Sequence, residues 1–277
     1  MFEYDVQAPF DLEDLSPPQA KNGVTVRGVT VRDVAYASPR GGKVTAYLVA
    51  PAGKGPFAGV LFLHPGQGDR STFLDEAIAF AQLGTVALSI DGTGTRPPRF
   101  SLPRPRTSAG HHARWTQAIV DLQRGLDLLA FRPDVDARRL GYVGHSYGAT
   151  LGGVLAGIET RVKAYVLMAG LVAHSEWWRS GDHEYYRRFR EQVTQEQLDE
   201  MVETMATVDA IHYIGRAAPA ELLFQFAHRD QFISELEALR YWKAASEPKE
   251  IRWYDTDHSF DEQARRDRIA WLGERLG

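Results

Sequence analysis

The 277-residue chain contains no cysteine. That excludes a disulfide framework, a thiol nucleophile and thiolate metal ligation, and it is compatible with a reducing compartment. No apolar run approaches the length needed to span a bilayer. The opening stretch, MFEYDVQAPFDLEDLSPPQA, is acidic and broken by proline, without the basic flank and apolar segment of a secretory signal, so a cytoplasmic protein is expected. Neither charge is in excess: 32 basic and 36 acidic residues give a formal net charge of −4. With no concentrated basic face, neither nucleic acid nor a membrane is an expected partner. Internal repeats and low-complexity tracts are absent too.

What is present can fill a large core. Hydrophobic residues make up 44% of the chain, and α/β proteins of this length are commonly one domain. Alternating residues over Val29 to Val34 and Val44 to Val49, separated by Gly41-Gly42, read as an antiparallel pair. Five later runs, Ala58 to Leu63, Thr85 to Ile90, Leu140 to Val143, Val162 to Met168 and Leu222 to Phe226, are almost wholly apolar, as strands covered on both faces are. Helical periodicity lies between and after them, at Phe73 to Leu83, Arg114 to Phe131, Ala149 to Ile158, Glu235 to Ala245 and Asp261 to Leu276. In the second of these, Trp115, Ile119, Leu122, Leu126 and Leu129 share one stripe and are expected in the core.

Alternating strands and helices predict an α/β fold: a mostly parallel eight-stranded sheet with helices on both faces, built from residues 29–170 and 217–277. Residues 171–216 break the rhythm with about two helices and no strand, and are expected to form a helical lid inserted after strand 6. Residues 1–28 read as an N-terminal extension. Chemistry belongs at the carboxyl ends of the parallel strands.

One strand end stands out. Residues 140–156 read LGYVGHSYGATLGGVLA, an apolar run feeding Gly144-His145-Ser146-Tyr147-Gly148 and then a small-residue helix. A serine between two glycines at such a junction sits on a sharp turn that lifts its hydroxyl off the sheet edge, because a Cβ at either flank would collide with neighbouring backbone. The first amides of the helix point toward that hydroxyl, where positive potential favours a developing anion. Ser146 is therefore a candidate nucleophile. A serine hydroxyl needs a base within reach, and the base needs an orienting partner. Asp230 follows the strand ending at Phe226, and His258 lies in the loop between a last strand, Glu250 to Tyr254, and the terminal helix.

The order Ser146, Asp230, His258, with a GxSxG elbow after the fifth strand, resembles the α/β-hydrolase superfamily, and within it the dienelactone-hydrolase-like and prolyl-oligopeptidase-like serine esterases and peptidases. The segment Leu61-Phe62-Leu63-His64-Pro65-Gly66-Gln67-Gly68 is similar to their His-Gly-X loop, with Pro65 where glycine is usual. The resemblance implies that His258 takes the Ser146 proton, that Asp230 orients the imidazole, and that the Gly66 and Tyr147 amides form the oxyanion hole, Gln67 standing in if the proline shifts the register. It implies no metal and no organic cofactor.

The expected reaction is hydrolysis of a small or medium carboxylic ester through an acyl-serine. Peptide or aminoacyl hydrolysis is the alternative within the class, and a non-catalytic ligand-binding homologue is the alternative outside it. The expected partner is the small-molecule ester, with a homodimer left open. Asp255 and Asp257 compete with Asp230, and His64, His111, His112, His145 and His228 with His258. Only His258 occupies the loop where the third member is expected. His64 is expected to brace the oxyanion loop.

Two segments border this edge. Trp177, Trp178, Tyr185, Tyr186 and Phe189 either wall an apolar pocket or anchor the lid. Leu198, Met201, Val202 and Met205, at helical spacing, read as packing. The loop holding Arg96, Arg99, Arg104 and Arg106 either clamps a substrate anion or is solvated and paired locally.

Overall fold

A computed structural model describes residues 1–6, 10–17, 23–98 and 107–277. The sheet is mixed and has ten strands: β1 (Glu13–Asp14), β2 (Val24–Val26), β3 (Val29–Ala37), β4 (Lys43–Ala50), β5 (Phe57–Leu63), β6 (Thr85–Ile90), β7 (Val135–His145), β8 (Val162–Met168), β9 (Glu221–Ala227) and β10 (Lys249–Tyr254). Their spatial order is β1-β3-β4-β6-β5-β7-β8-β9-β10, with β2 also paired to β3. From β6 to β10 every pairing is parallel, whereas β3 with β4 and β4 with β6 are antiparallel. The two strands beyond the expected eight come from the N-terminal extension. They run for only two and three residues, too short for alternation to announce them.

The helices are α1 (Leu74–Gln82), α2 (Ser108–Ala130), α3 (Tyr147–Ala156), α4 (Glu176–Ser180), α5 (Glu184–Gln192), α6 (Gln195–Ala206), α7 (Glu235–Ala244) and α8 (Glu262–Leu276). The period-two rule sorts the core. Along β5, Val60 and Phe62 pack with Phe80 of α1 and Trp271 and Leu272 of α8. Leu61 and Leu63 face the opposite way and pack with Ile119 and Leu122 of α2 and Val154 of α3. Because both faces are covered, these strands are apolar throughout rather than alternating.

The segment between β8 and β9 holds three helices, α4 to α6, where periodicity suggests two. Helix α5 is short and has no fully buried residue; only Tyr186 and Phe189 of it pack against the small core. Trp178, Leu198, Met201, Met205 and Val208 form a separate small core under this segment. The N-terminal extension is tied down outside the sheet as well: the Tyr4 hydroxyl donates to Asp127 Oδ2 at 2.7 Å, and the Arg124 guanidinium lies 3.6 Å over the Phe10 ring. No helix among the described residues is long and apolar enough to cross a membrane.

Candidate active site

Strand β7 ends at His145 and α3 begins at Tyr147, leaving Ser146 alone on the turn with φ 54° and ψ −106°. A positive φ is unfavourable for a residue with a Cβ and persists only when the surroundings impose it. Here they do. The Ser146 amide donates to the Met168 carbonyl at 2.7 Å, and the Ser146 carbonyl accepts from both the amide and the hydroxyl of Thr150 at 2.9 Å. The flanking glycines are required by space: a Cβ on Gly148 would lie 2.1 Å from the Leu63 carbonyl oxygen, and one on Gly144 would lie 2.5 Å from the Gly148 carbonyl carbon. The turn can thus be as tight as the elbow demands. The Tyr147 amide, in the first turn of α3, has no intrahelical acceptor.

Asp230 and His258 are brought together by neighbouring strands. β9 and β10 run parallel with Ala227 opposite Tyr254, so the loops leaving them emerge side by side. Two bonds join the loops, His228 amide to Tyr254 carbonyl at 2.9 Å and Arg229 amide to Thr256 carbonyl at 3.0 Å. Across this junction His258 Nδ1 lies 2.8 Å from Asp230 Oδ2. The Asp230 carboxylate is almost completely buried, and its Oδ1 accepts from the Phe232 and Ile233 amides at 2.8 and 3.0 Å. Burial pushes its pKa up, but the bonds from His258 and the two amides outweigh that and hold it below the usual carboxylate range. Asp230 is therefore ionised and its other acceptor sites are occupied, which leaves Oδ2 to fix the Nδ1–H tautomer of His258.

The competing acids are engaged elsewhere. Asp255 forms an exposed pair with Arg229 at 2.9 Å, and Asp257 Oδ1 accepts from the Ser259 amide at 2.9 Å. Of the competing histidines, His228 stacks on Trp253, and His112 bonds Thr207. His145 is buried, and burial, helped by the nearby His258, pushes its pKa down to about 3. As a neutral ring it donates its Nε2–H to the His258 carbonyl at 2.8 Å.

His64 holds the loop after β5. Its Nε2 accepts the Gly92 amide at 2.8 Å, which places the ring proton on Nδ1, and Nδ1 donates to the Pro65 carbonyl at 2.6 Å. Burial lowers its pKa, keeping that tautomer neutral. The Pro65 carbonyl also accepts the Gly68 amide at 2.9 Å. In a trans peptide, C=O and N–H point in opposite directions, so pinning the Pro65 oxygen fixes the direction of the Gly66 N–H.

Ser146, His258, Gly66, Gln67 and Tyr147 all line one cavity of about 710 Å³, and Asp230 stands behind His258, outside the wall. The cavity is bounded by the loops after β5 and β6, the start of α2, α4, the start of α5, and the loop containing Phe232, whose ring meets His258 edge-on at 4.9 Å. Among the described residues no cluster of His, Asp and Glu is arranged to hold a metal ion.

Three details add to the sequence expectations. Trp115 packs against the core at partial burial and also forms part of the cavity wall: it stacks on His174 at 4.4 Å and meets Tyr147 edge-on at 5.4 Å. Arg96 is no anion clamp, being fully buried in an ion pair with Asp121, while Arg99, Arg104 and Arg106 lie outside the described residues. Trp178 takes both roles left open for it, lining the cavity and anchoring the small core, ringed by Phe189 at 4.8 Å, Tyr186 at 5.3 Å and Tyr185 at 5.7 Å. Arg114, Thr93 and His174 also line the cavity and were not distinguishable in the sequence, because no local pattern marks a polar residue whose neighbours arrive from distant strands.

A doubly covered, mostly parallel sheet with a strained serine at one strand end and an Asp-His pair at two others defines an α/β-hydrolase. The chain belongs to the acetyl xylan esterase (AXE1) family, whose sequence profile matches residues 12–274. The motifs resemble dienelactone-hydrolase-like and prolyl-oligopeptidase-like relatives; the match over nearly the whole chain is to this esterase family. Curated relatives include Esterase FrsA of Citrobacter koseri, 28% identical over 89% of this chain, and Esterase FrsA of Shigella boydii, 26% identical. The chain spans about 60% of the length of each. Among solved structures it is similar to the acetyl xylan esterase from Paenibacillus sp. R4, with a TM-score of 0.81 and 22% identity over 97% of this chain and 90% of that one. It is also similar to acetyl xylan esterase 1 from Thermoanaerobacterium sp. JW/SL YS485, with a TM-score of 0.76 and 18% identity over 97% and 88%. At these identities the structural likenesses establish the shared fold.

Proposed function

We propose that the protein hydrolyses a small or medium carboxylic ester through an acyl-Ser146 intermediate, with acetyl esters the first candidates because the family is named for one. The observation that carries this reading is a strained Ser146 opening onto the same cavity as a His258 imidazole whose Nδ1 is held by a buried, ionised Asp230. His258 Nε2 takes the Ser146 proton as Oγ attacks the ester carbonyl, and Asp230 stabilises the imidazolium that forms. The carbonyl oxygen becomes an oxyanion facing the Gly66 and Tyr147 amides, each donor worth roughly 3 to 4 kcal/mol of barrier. His258 then protonates the departing alcohol, and water, activated by the same imidazole, releases the acid. Both amides belong to rigid backbone, one pinned through Pro65 and the other in the first turn of α3, so little reorganisation is needed as charge develops.

A fluorophosphonate probe with intact-mass detection tests the reading. Wild-type protein is expected to gain one adduct that Ser146→Ala does not. A folded wild-type protein that stays unlabelled and turns over no 4-nitrophenyl acetate would overturn it. Running the reaction in 18O-labelled water should place the label in the released acid, and nitrophenyl esters alongside aminoacyl anilides would expose a peptidase.

A further inference from the structure

A cavity of about 710 Å³ is in the range of sites that enclose drug-sized ligands, and an acetyl group fills a small part of it. Much of the remainder is bounded by aromatic rings. From His258 a row of them leads round the chamber to Tyr147, the residue after the nucleophile. Phe232 meets His258 at 4.9 Å between centroids and His183 at 6.3 Å, His183 meets Tyr186 at 6.4 Å, and Tyr186 meets His174 at 5.8 Å. Trp115, stacked on His174 at 4.4 Å and 5.4 Å from Tyr147, completes the row. Every one of these rings lines the cavity.

Polar atoms in the row are mostly turned on the protein itself. The Tyr186 hydroxyl and His174 Nε2 share a hydrogen bond of 2.6 Å, His183 Nδ1 accepts the Tyr185 amide at 3.2 Å, and the Tyr147 phenol is bonded to Thr93. Burial, helped by nearby His111, pushes the His174 pKa down to about 4, so that ring is neutral near pH 7. No described residue lining the cavity is Asp or Glu, so a cationic group would meet rings without a counter-charge. A sugar could stack on the rings, but its hydroxyls would find few uncommitted partners along the row, and a buried hydroxyl left unpaired is costly.

Phe232 singles out one end of the row. It is 36% exposed, lies on the loop after β9 and packs into none of the apolar cores of the described residues. Its backbone amide serves Asp230, whereas its side chain stands against His258 and His183. A ligand in the chamber can take this apolar surface out of water. The leaving oxygen of an ester receives its proton from His258, so whatever that oxygen carries begins beside the ring packed on His258.

We infer that the ester taken by this site carries a flat aromatic group on its alcohol side, seated along the row from Phe232 to Tyr186. A planar ring gains offset or edge-on contacts there beyond the area it buries. The inference rests on the esterase reading proposed above.

The test compares acetates of primary alcohols: naphthalen-2-ylmethyl acetate against 2-methoxyethyl acetate, 6-O-acetylglucose and acetylcholine. Methyl naphthalen-2-ylacetate places the same ring on the acyl side. In wild type, kcat/KM for the naphthylmethyl ester should exceed that for each of the other acetates by at least about fivefold. Its ratio to 2-methoxyethyl acetate should fall by about tenfold in Phe232→Ser and be largely retained in Phe232→Tyr. Both substrates use the same base, so a disturbance of His258 cancels from the ratio. A smaller excess in wild type, a ratio unmoved by Phe232→Ser, or an equal loss in both variants overturns the inference. So does a gain confined to the acyl-side naphthyl ester. Calorimetry on folded Ser146→Ala separates this from the esterase reading. Naphthalen-2-ylmethanol should bind more tightly than 2-methoxyethanol, and the difference should shrink in Ser146→Ala/Phe232→Ser. Equal affinities, or binding of neither, would overturn the inference; a preference that persists while no ester is cleaved would fell the esterase reading alone.

Discussion

His145 and His258 are joined twice: their ring centroids lie 4.9 Å apart, and the Nε2–H of His145 donates to the backbone carbonyl of His258 at 2.8 Å. The residue beside the nucleophile thus holds the main chain of the base. This contact has a consequence for acid stability. His145 has a folded pKa of about 3 against 6.5 for an ordinary histidine, so between those values the unfolded chain takes up a proton that the folded one refuses. The stabilisation is complete above pH 6.5 and is lost as pH falls toward 3, by about 1.4 kcal/mol per unit.

His145→Gln keeps a donor without a titrating ring. Urea unfolding across pH 4 to 8 should show a shallower loss of stability at the acid end than in wild type. Parallel curves for the two proteins would mean that His145 protonates freely in the folded state.

Asp230→Asn should leave the fold intact and cost roughly 10³ to 10⁴ in kcat with a small change in KM, because an amide no longer favours the Nδ1–H tautomer or stabilises the imidazolium. Steady-state kinetics on 4-nitrophenyl acetate reads this directly. A loss below tenfold would remove Asp230 from the proposed triad.

The His64 ring fixes the Pro65 carbonyl, and with it the direction of the Gly66 amide. His64→Ala frees that peptide, so kcat should drop by about tenfold or more while KM stays within a few-fold, as expected when a donor acting in the transition state is misplaced. A change confined to KM would show that the loop positions substrate rather than the oxyanion.

Backbone strain at the elbow gives a pair of opposite stability changes. Ser146→Gly removes the positive-φ penalty and should raise stability by about 1 kcal/mol while abolishing fluorophosphonate labelling. Gly148→Ala drives a Cβ to 2.1 Å from the Leu63 oxygen and should destabilise by more than about 3 kcal/mol, seen as a lower urea midpoint or as failure to fold.

The parallel part of the sheet is legible in the sequence because both faces are covered: Thr85 to Ile90 is buried at every position, and the expected strand coincides with β6. Ser146 is legible because only glycine fits at positions 144 and 148. Asp230 and His258 are legible as strand-end residues, but their meeting depends on β9 and β10 being neighbours, a fact of topology that no local window contains. The partners of Arg96 and Trp115 are hidden from the sequence for the same reason. The partner that neutralises Arg96 is Asp121 on α2, and the ring stacked on Trp115 at the cavity wall is His174, which follows β8. The short strands at Glu13–Asp14 and Val24–Val26 exist only because β3 offers them an edge.

Helices α4 to α6 leave the sheet after β8, at the carboxyl edge where Ser146 and Asp230 emerge, cross to the opposite edge to enter β9, and pack on a small core of their own. The Asp230 and His258 loops are bonded to each other across β9 and β10, and the serine turn is fixed by β7 and β8. Exchanging the insert for one of another length would therefore reshape the chamber while leaving the cleavage apparatus anchored, which makes this stretch the natural place to graft new selectivity onto the same scaffold.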